Sequence, residues 1–312
     1  MLALPAVDAL AEAFPDAELD VLVGRHSAPV FEGRPTVTAV VEIPDIPKAR
    51  DVSPIAGLLR RGRYDLLVLL DRSRLLRLAV ALSGARRVVR VRDPQSGFLH
   101  EGDLYLAALA ELNIEARSTL PVLNGRAVDR VRPCHVSGSF VVVHPGGAMN
   151  PGALMLQKRW PADRYIELVT ALRERGLEVL LTGGPDEREL AAKIARKAGL
   201  QIAANLAGQL SLPQVAALIG RAQLYIGADT GVSHLAAATG TPSVVIFGPT
   251  NPLRYGPRGA QVEIVAPAAS YQLADVDLRR APGVVRSVAT TQVSLDDVLA
   301  ACERLLQPSG AS

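Results

Sequence analysis

Short apolar runs alternate with amphipathic stretches along the whole chain. In the first half, Leu19–Val23, Val37–Ile43, Asp65–Leu70 and Arg87–Val91 are β-rich runs. A helix ended by Pro15 precedes them, and Ser53–Arg61, Leu75–Ser83 and Asp103–Leu112 carry helical periodicity. The second half restarts the pattern with a strand over Phe140–Val143. Helix Ala162–Arg175 stops at Gly176, a residue suited to the left-handed C-terminal position. Strand Glu178–Thr182 and helices Asp186–Ala198 and Leu212–Ile219 follow. The apolar run Leu224–Ile226 stops at Gly227. An Ala-rich helix, a Gly-Thr-Pro turn and another strand come next, and Leu295–Leu306 forms the last helix. Alternating βα units imply parallel sheets covered by helices on both faces. Between the halves lies a Pro-rich, basic, unperiodic segment, Leu120–His135, the natural linker. The pattern predicts two Rossmann-like domains, 1–135 and 136–312, with a cleft between them.

The chemistry concentrates in the second half. Four small polar loops, HPGG (144–147), TGGPDE (182–187), ADTG (228–231) and FGPT (247–250), follow predicted strands. Ligands of doubly wound sheets bind at that carboxyl edge. After the run ending at Gly227, the backbone N–H groups of Thr230, Gly231 and Val232 open a helix. Unpaired amides and the positive end of the helix dipole make an anion site. Gly231 has no side chain to hold a phosphate away. An ordinary αβ unit with Asp229 or Thr230 as its N-cap reads the same way. Neither GxGxxG nor GxxxxGK[ST] is present, so the standard dinucleotide and P-loop fingerprints are excluded.

Composition narrows the classes. Of the 312 residues, 49% are apolar, enough for two cores. A net charge of +3 and a pI near 9.0 suit an anionic small ligand and fall short of a nucleic-acid arm. Only 4% of residues are aromatic, which argues against base stacking and nucleic-acid partners. Cys134 and Cys302 show no paired spacing, so a reducing cytosol fits and no zinc site is implied. The chain shows no signal peptide and no apolar run of transmembrane length. A cytoplasmic location, with room for a peripheral contact at the inner membrane, is expected.

HPGG, KRWP (158–161), TGGPDE and GADTGVSHLAAATGTPSVVIFGPT, in that order and spacing, resemble glycosyltransferase family 9, the ADP-heptose:lipopolysaccharide heptosyltransferases. The first half matches more loosely, through LPAVDALAEAFPDAELDVLV and YDLLVLL. The resemblance implies the GT-B architecture, two Rossmann-like domains facing across a cleft. It further implies an ADP-heptose donor held by the second domain and a lipopolysaccharide inner-core acceptor received by the first. Transfer in the family inverts the anomeric centre and needs no bound metal, so no cofactor is expected.

The resemblance assigns roles residue by residue. A departing diphosphate needs its growing charge stabilised. Lys158 matches the family's K-x-W-P lysine and would meet that charge, although beside Arg159 it also reads as a solvated lysine. The amides of Thr230 and Gly231 would hold the same diphosphate. Asp229 would repel it, and so binds donor-sugar hydroxyls or orders its loop. His234, one turn into the helix, reaches the same end or packs as an ordinary hydrogen-bonded histidine. Asp186 or Glu187 accepts the ribose hydroxyls, or supplies first-turn helix charge. Thr250 borders the donor pocket, His144, Gly146 and Gly147 line it, and Trp160 packs as core.

Three further expectations concern the rest. Asp275-Val276-Asp277 spells a metal-binding DxD but sits in a polar segment and reads as solvated. His26, His100 and His135 show no ligand spacing. The arginines at 60–63 and 72–77 read as solvated helix faces, some of which meet the anionic acceptor or the inner leaflet. In the family a strand and a Gly-Asp turn, carrying the catalytic base, precede the LPAVDAL helix. That strand and base are expected upstream of Met1, with Asp8 a poor substitute on a helix surface. The alternatives to heptosyl transfer are transfer of another nucleotide-linked sugar, or a donor-binding protein inactive without that base.

Overall fold

A computed structural model describes residues 1–92, 100–115, 138–147, 149–150, 153–273 and 288–307. The chain divides into two compact units, Met1–Pro121 and Val122–Ser312. The expected linker and the DxD pair Asp275 and Asp277 lie outside the described residues. Among the described residues no helix is long and apolar enough to cross a membrane.

In the first unit, helix α1 (Leu4–Ala13) precedes β1 (Asp20–Gly24) and β2 (Ala39–Ile43), which pair in parallel. Helix α2 (Val52–Gly62), β3 (Leu66–Leu69), α3 (Arg74–Ala81) and β4 (Arg87–Arg90) follow, and β3 pairs with β4 in parallel. Helix α4 (Glu101–Ala108) continues as a 3-10 turn over Leu109–Leu112. Its Leu106 and Leu109 pack on Ala6 and Leu10 of α1. Val52, Ile55, Ala56 and Leu59 of α2 pack with Ala79 and Val80 of α3 beside Ile43. At the carboxyl ends of β1 and β2, the backbone N–H of His26 donates to Asp45 Oδ1 (3.0 Å). The His26 Nδ1 meets Asp45 Oδ2 at 2.7 Å, so this histidine braces a turn.

The second unit is built on one five-stranded parallel sheet. Its strands are β5 (Phe140–His144), β8 (Glu178–Leu181), β9 (Leu224–Ala228), β10 (Ser243–Ile246) and β11 (Val262–Val265), in the spatial order β11-β10-β9-β5-β8. A small antiparallel pair, β6 (Met149–Asn150) and β7 (Ala153–Leu154), follows β5. Covered on both faces, the sheet strands read as continuous apolar runs. Val141, Val143, Leu224, Ile226, Val244 and Ile246 face helices α5 (Ala162–Glu174), α6 (Arg188–Lys197) and α10 (Leu295–Leu306), through Leu168, Leu172, Ile194, Val298 and Ala301. Helix α8 (Gly231–Ala238) contacts β9 and β10 and packs beside α7 (Leu212–Ile219). A short helix α9 spans Pro252–Tyr255.

Strand β9 runs through Gly227 to Ala228 rather than stopping at the glycine. Pairing on both sides, with His144 and Val245 opposite Gly227, overrides glycine's weak strand preference. A Cβ there would stand 2.2 Å from the Tyr225 hydroxyl, so only glycine fits. Strand β11 carries little signal in the sequence, because VEIV is a short edge run with one charge in it.

The strand order fixes where a crevice opens. The chain moves from β5 outward to β8, then crosses back to β9 on the other side of β5. Adjacent strands whose connections leave in opposite directions open a crevice at their carboxyl ends. Here that crevice lies between the HPGG loop of β5 and the ADTG loop of β9.

Candidate functional site

The two loops at the switch point touch. Gly147 has φ +94, a left-handed conformation that favours glycine, and a Cβ on it would lie 2.5 Å from Thr230 Cγ2. A Cβ on Gly146 would stand 2.0 Å from Glu187 Oε1. The glycines of HPGG therefore let three loops approach one another.

Glu187 is the clasp. Its Oε1 accepts from the Gly147 N–H (2.5 Å) and its Oε2 from the Gly184 N–H (2.7 Å). One carboxylate thus joins the loop after β5 to the loop after β8. The His144 Nε2 lies 3.8 Å from Oε2, and its Nδ1 is 3.4 Å from Thr182 Oγ1. Burial pushes the His144 imidazole below its ordinary pKa, against the opposing pull of the Glu187 carboxylate. His144 is therefore a neutral, buried support under its loop. Asp186 differs from its neighbour: it is exposed on the 3-10 turn Pro185–Glu187. The geometry separates the two acids offered for the ribose, with Glu187 tied to backbone amides and Asp186 open to solvent.

Lys158 is half of a shielded ion pair. Its Nζ lies 2.7 Å from Asp229 Oδ2, with the side chains 11% and 9% exposed. The solvated-lysine reading is thus replaced by a cation held at the loop of β9. Thr250 Oγ1 donates to the same Asp229 oxygen at 2.6 Å, which brings the FGPT loop into the site. The KRWP segment is pinned from behind. Thr290 Oγ1 donates to the carbonyls of Gln157 (3.1 Å) and Arg159 (2.8 Å). Trp160 is fully buried, stacks edge-on against Tyr165 at 5.0 Å, and donates through Nε1 to Val293 O. The expected core role of Trp160 holds. Arg159, passed over in the sequence, donates from Nε (3.2 Å) and Nη2 (2.7 Å) to Gly147 O. It grips the carbonyl of the residue whose N–H Glu187 holds.

Thr230 is the N-cap of α8, extended and without a side-chain cap bond. The first amides of a helix have no intrahelical acceptor, and the Thr230 side chain does not cap them. Behind it, Ser233 Oγ donates to Ala228 O (2.5 Å) and meets the Tyr225 hydroxyl at 3.1 Å, which stiffens the turn. Gly231 is exposed, and a Cβ there meets nothing within 4 Å. His234, partly buried on the same helix, has a polar or electrostatic partner.

Gly231 supplies a clean prediction. Gly231→Ala is sterically free and favours the helix by roughly 1 kcal/mol at most. It should leave the melting temperature unchanged or slightly raised, yet weaken a phosphate ligand by about tenfold, because the methyl occupies the approach to the amides. Calorimetric titration beside a thermal melt reads both; an unaltered affinity would remove the anion from this helix end.

The site is thus a cluster at the carboxyl edge of the sheet, with a shielded lysine, an exposed helix N-terminus and a clasp of glutamate and arginine around Gly147. Among the described residues no three or more His, Cys, Asp or Glu side chains gather as a metal site. Residues 84–280 match the family described as glycosyltransferase family 9 (heptosyltransferase). Lipopolysaccharide heptosyltransferase 3 of Escherichia coli is 31% identical over 281 residues, spanning 82% of this chain and 82% of that protein. Among solved structures, ADP-heptose lps heptosyltransferase II of E. coli superposes with a TM-score of 0.74 at 20% identity, covering 99% of this chain and 96% of its own. A glycosyl transferase family 9 protein from Veillonella parvula gives 0.76 at 19% identity, covering 99% and 93%. These likenesses give the fold: GT-B, as the sequence implied.

Proposed function

The chain belongs to glycosyltransferase family 9, and from that premise we propose that it moves heptose from ADP-heptose to the lipopolysaccharide inner core. That it is a glycosyltransferase follows from the family; the donor, the acceptor, inversion and metal independence are the proposal. The observation that carries it is the placement of Lys158 with Asp229 beside the open end of α8, at the β5–β9 switch point.

Cleavage of the bond between the sugar and the diphosphate puts negative charge on the leaving group. The amides of Thr230 and Gly231 and the Lys158 ammonium meet that charge in a shielded place, where such groups count most. In the free protein Asp229 holds Lys158 in position. Lys158 and Thr250 both reach Asp229 Oδ2, so Oδ1 is the oxygen left for a sugar hydroxyl. Exposed Asp186 takes the ribose hydroxyls. Glu187, Arg159 and His144 keep the HPGG loop in place. The second unit is thereby the donor-binding one, and the first receives the acceptor. With the Lys158 ammonium and the amides already at the leaving group, its departure needs no divalent ion; direct attack from the opposite face inverts the anomeric centre as the C–O bond to the diphosphate breaks, and the attacking hydroxyl gives its proton to a general base other than these residues.

A thermal-shift series of nucleotide sugars tests the donor. ADP-sugars should raise the melting temperature more than UDP- or GDP-sugars, and EDTA should leave the shift unchanged. A preference for another nucleotide would replace the donor. A shift lost to EDTA and restored by magnesium or manganese would reverse the metal-free reading.

A further inference from the structure

Strands β1 and β2 end their pairing at Gly24 and Ile43, and two residues past each end stand His26 and Asp45. Ligands of parallel sheets bind at this carboxyl edge. A Cβ on Gly24 would lie 2.5 Å from Asp45 Oδ1, so the glycine lets the carboxylate approach the loop after β1. Asp45 Oδ1 accepts the His26 backbone N–H, and its Oδ2 faces the His26 Nδ1. A carboxylate can only accept, so Nδ1 carries the proton and donates it. The neutral imidazole then keeps its lone pair on Nε2.

The pair divides into an anchor and a free end. Burial by itself would raise the Asp45 carboxyl, but the bonds from His26 outweigh it and hold the group below its ordinary pKa. The Asp45 side chain is 20% exposed and that of His26 is 70% exposed, so a sheltered carboxylate orients a ring that faces water. The other charged groups beside them, Arg25 and Glu42, are engaged with each other at 3.1 Å. Bracing the turn uses the His26 backbone N–H and Nδ1; it leaves Nε2 over.

We propose that His26 Nε2 is the general base that takes the proton of the attacking acceptor hydroxyl, with Asp45 as its positioning residue. The inference rests on the reading that the first unit receives the acceptor. The hydroxyl oxygen bonds the anomeric carbon, and the C–O bond to the diphosphate breaks with its electron pair on ADP. The hydroxyl proton passes to Nε2. The imidazolium so formed is stabilised by the Asp45 carboxylate and returns its proton to water. General-base help of this kind is worth about 10²–10⁴-fold.

Steady-state transfer and calorimetry on the full chain test it. His26→Gln should lower kcat at least about a hundredfold. Its ADP-sugar binding should be unchanged, and its melting temperature should stay near wild type because the ring is exposed. A base works only unprotonated, so wild-type kcat should rise with pH to a plateau, and His26→Gln should lose that rise. Asp45→Asn replaces an acceptor-only group by a carboxamide and should lower kcat at least about tenfold with the donor KM unchanged. A thermal melt checks that each variant is folded. Imidazole in solution should restore part of the rate of His26→Ala. A His26→Gln kcat equal to wild type, or one that keeps the wild-type pH rise, would overturn the proposal. So would a wild-type chain that binds ADP-sugar without transferring it. Failure of the wild type to bind ADP-sugar would strike the donor reading, and this inference with it.

Discussion

Glu187→Ala should melt well below the wild type and bind donor at least about tenfold more weakly. The carboxylate accepts the Gly147 and Gly184 N–H groups, and its side chain is only 15% exposed. Removing it strands two sheltered amides, each costing about 1–3 kcal/mol. In a unit of this size 1 kcal/mol lowers the melting temperature by roughly 2–4 °C. Alanine would also leave Arg159 pulling on Gly147 O with nothing opposing it. Glu187→Gln discriminates the cause. Its single carbonyl oxygen can serve one amide, while its NH2 group points a donor at the other. It should fall between alanine and wild type in both stability and affinity. A wild-type melt for both variants would show that the loops after β5 and β8 hold without the clasp.

Lys158→Ala should cost at least about tenfold in donor affinity and in transfer, since a charge-assisted contact contributes roughly 1.5–3 kcal/mol. The same change leaves the Asp229 carboxylate in a shielded place with Thr250 but without its cation, so stability falls as well. Asp229→Asn in the same chain separates the two effects. It removes the stranded charge and should restore much of the stability without restoring the diphosphate contact. If the double variant recovers donor affinity too, Lys158 acts only by holding Asp229, and its assignment to the leaving group fails.

Much of this was legible from the chain. The β-rich runs locate β1 to β5 and β8 within a residue or two, because β-branched and apolar residues cluster there between turn signals. Helices α7 and α10 begin and end at the predicted residues, Leu212–Ile219 and Leu295–Leu306, each opened by a capping serine, Ser211 and Ser294. The polar loops fall at the carboxyl edge as expected, since Gly and Pro punctuate the strands there. What the chain hid is mutual contact. Nothing in TGGPDE says that Glu187 turns back to the Gly147 N–H, forty residues earlier. Nothing beside Lys158 shows that Asp229 is its partner, or that Arg159 points inward rather than to water. Periodicity reports which face a residue takes; it does not report which loop lies across from it. The one local clue was the glycine pair of HPGG, which foretells close approach without naming what approaches.

The most direct measurement of the central claim is a transfer assay with the full chain, ADP-heptose and a heptose-deficient inner-core acceptor, read by mass spectrometry and by the anomeric configuration of the product. The account predicts addition of one heptose with inversion, in the presence of EDTA, and at least about tenfold slower with Lys158→Ala. Transfer from a UDP- or GDP-sugar in preference, retention at the anomeric centre, or full activity in the Lys158 variant would contradict it.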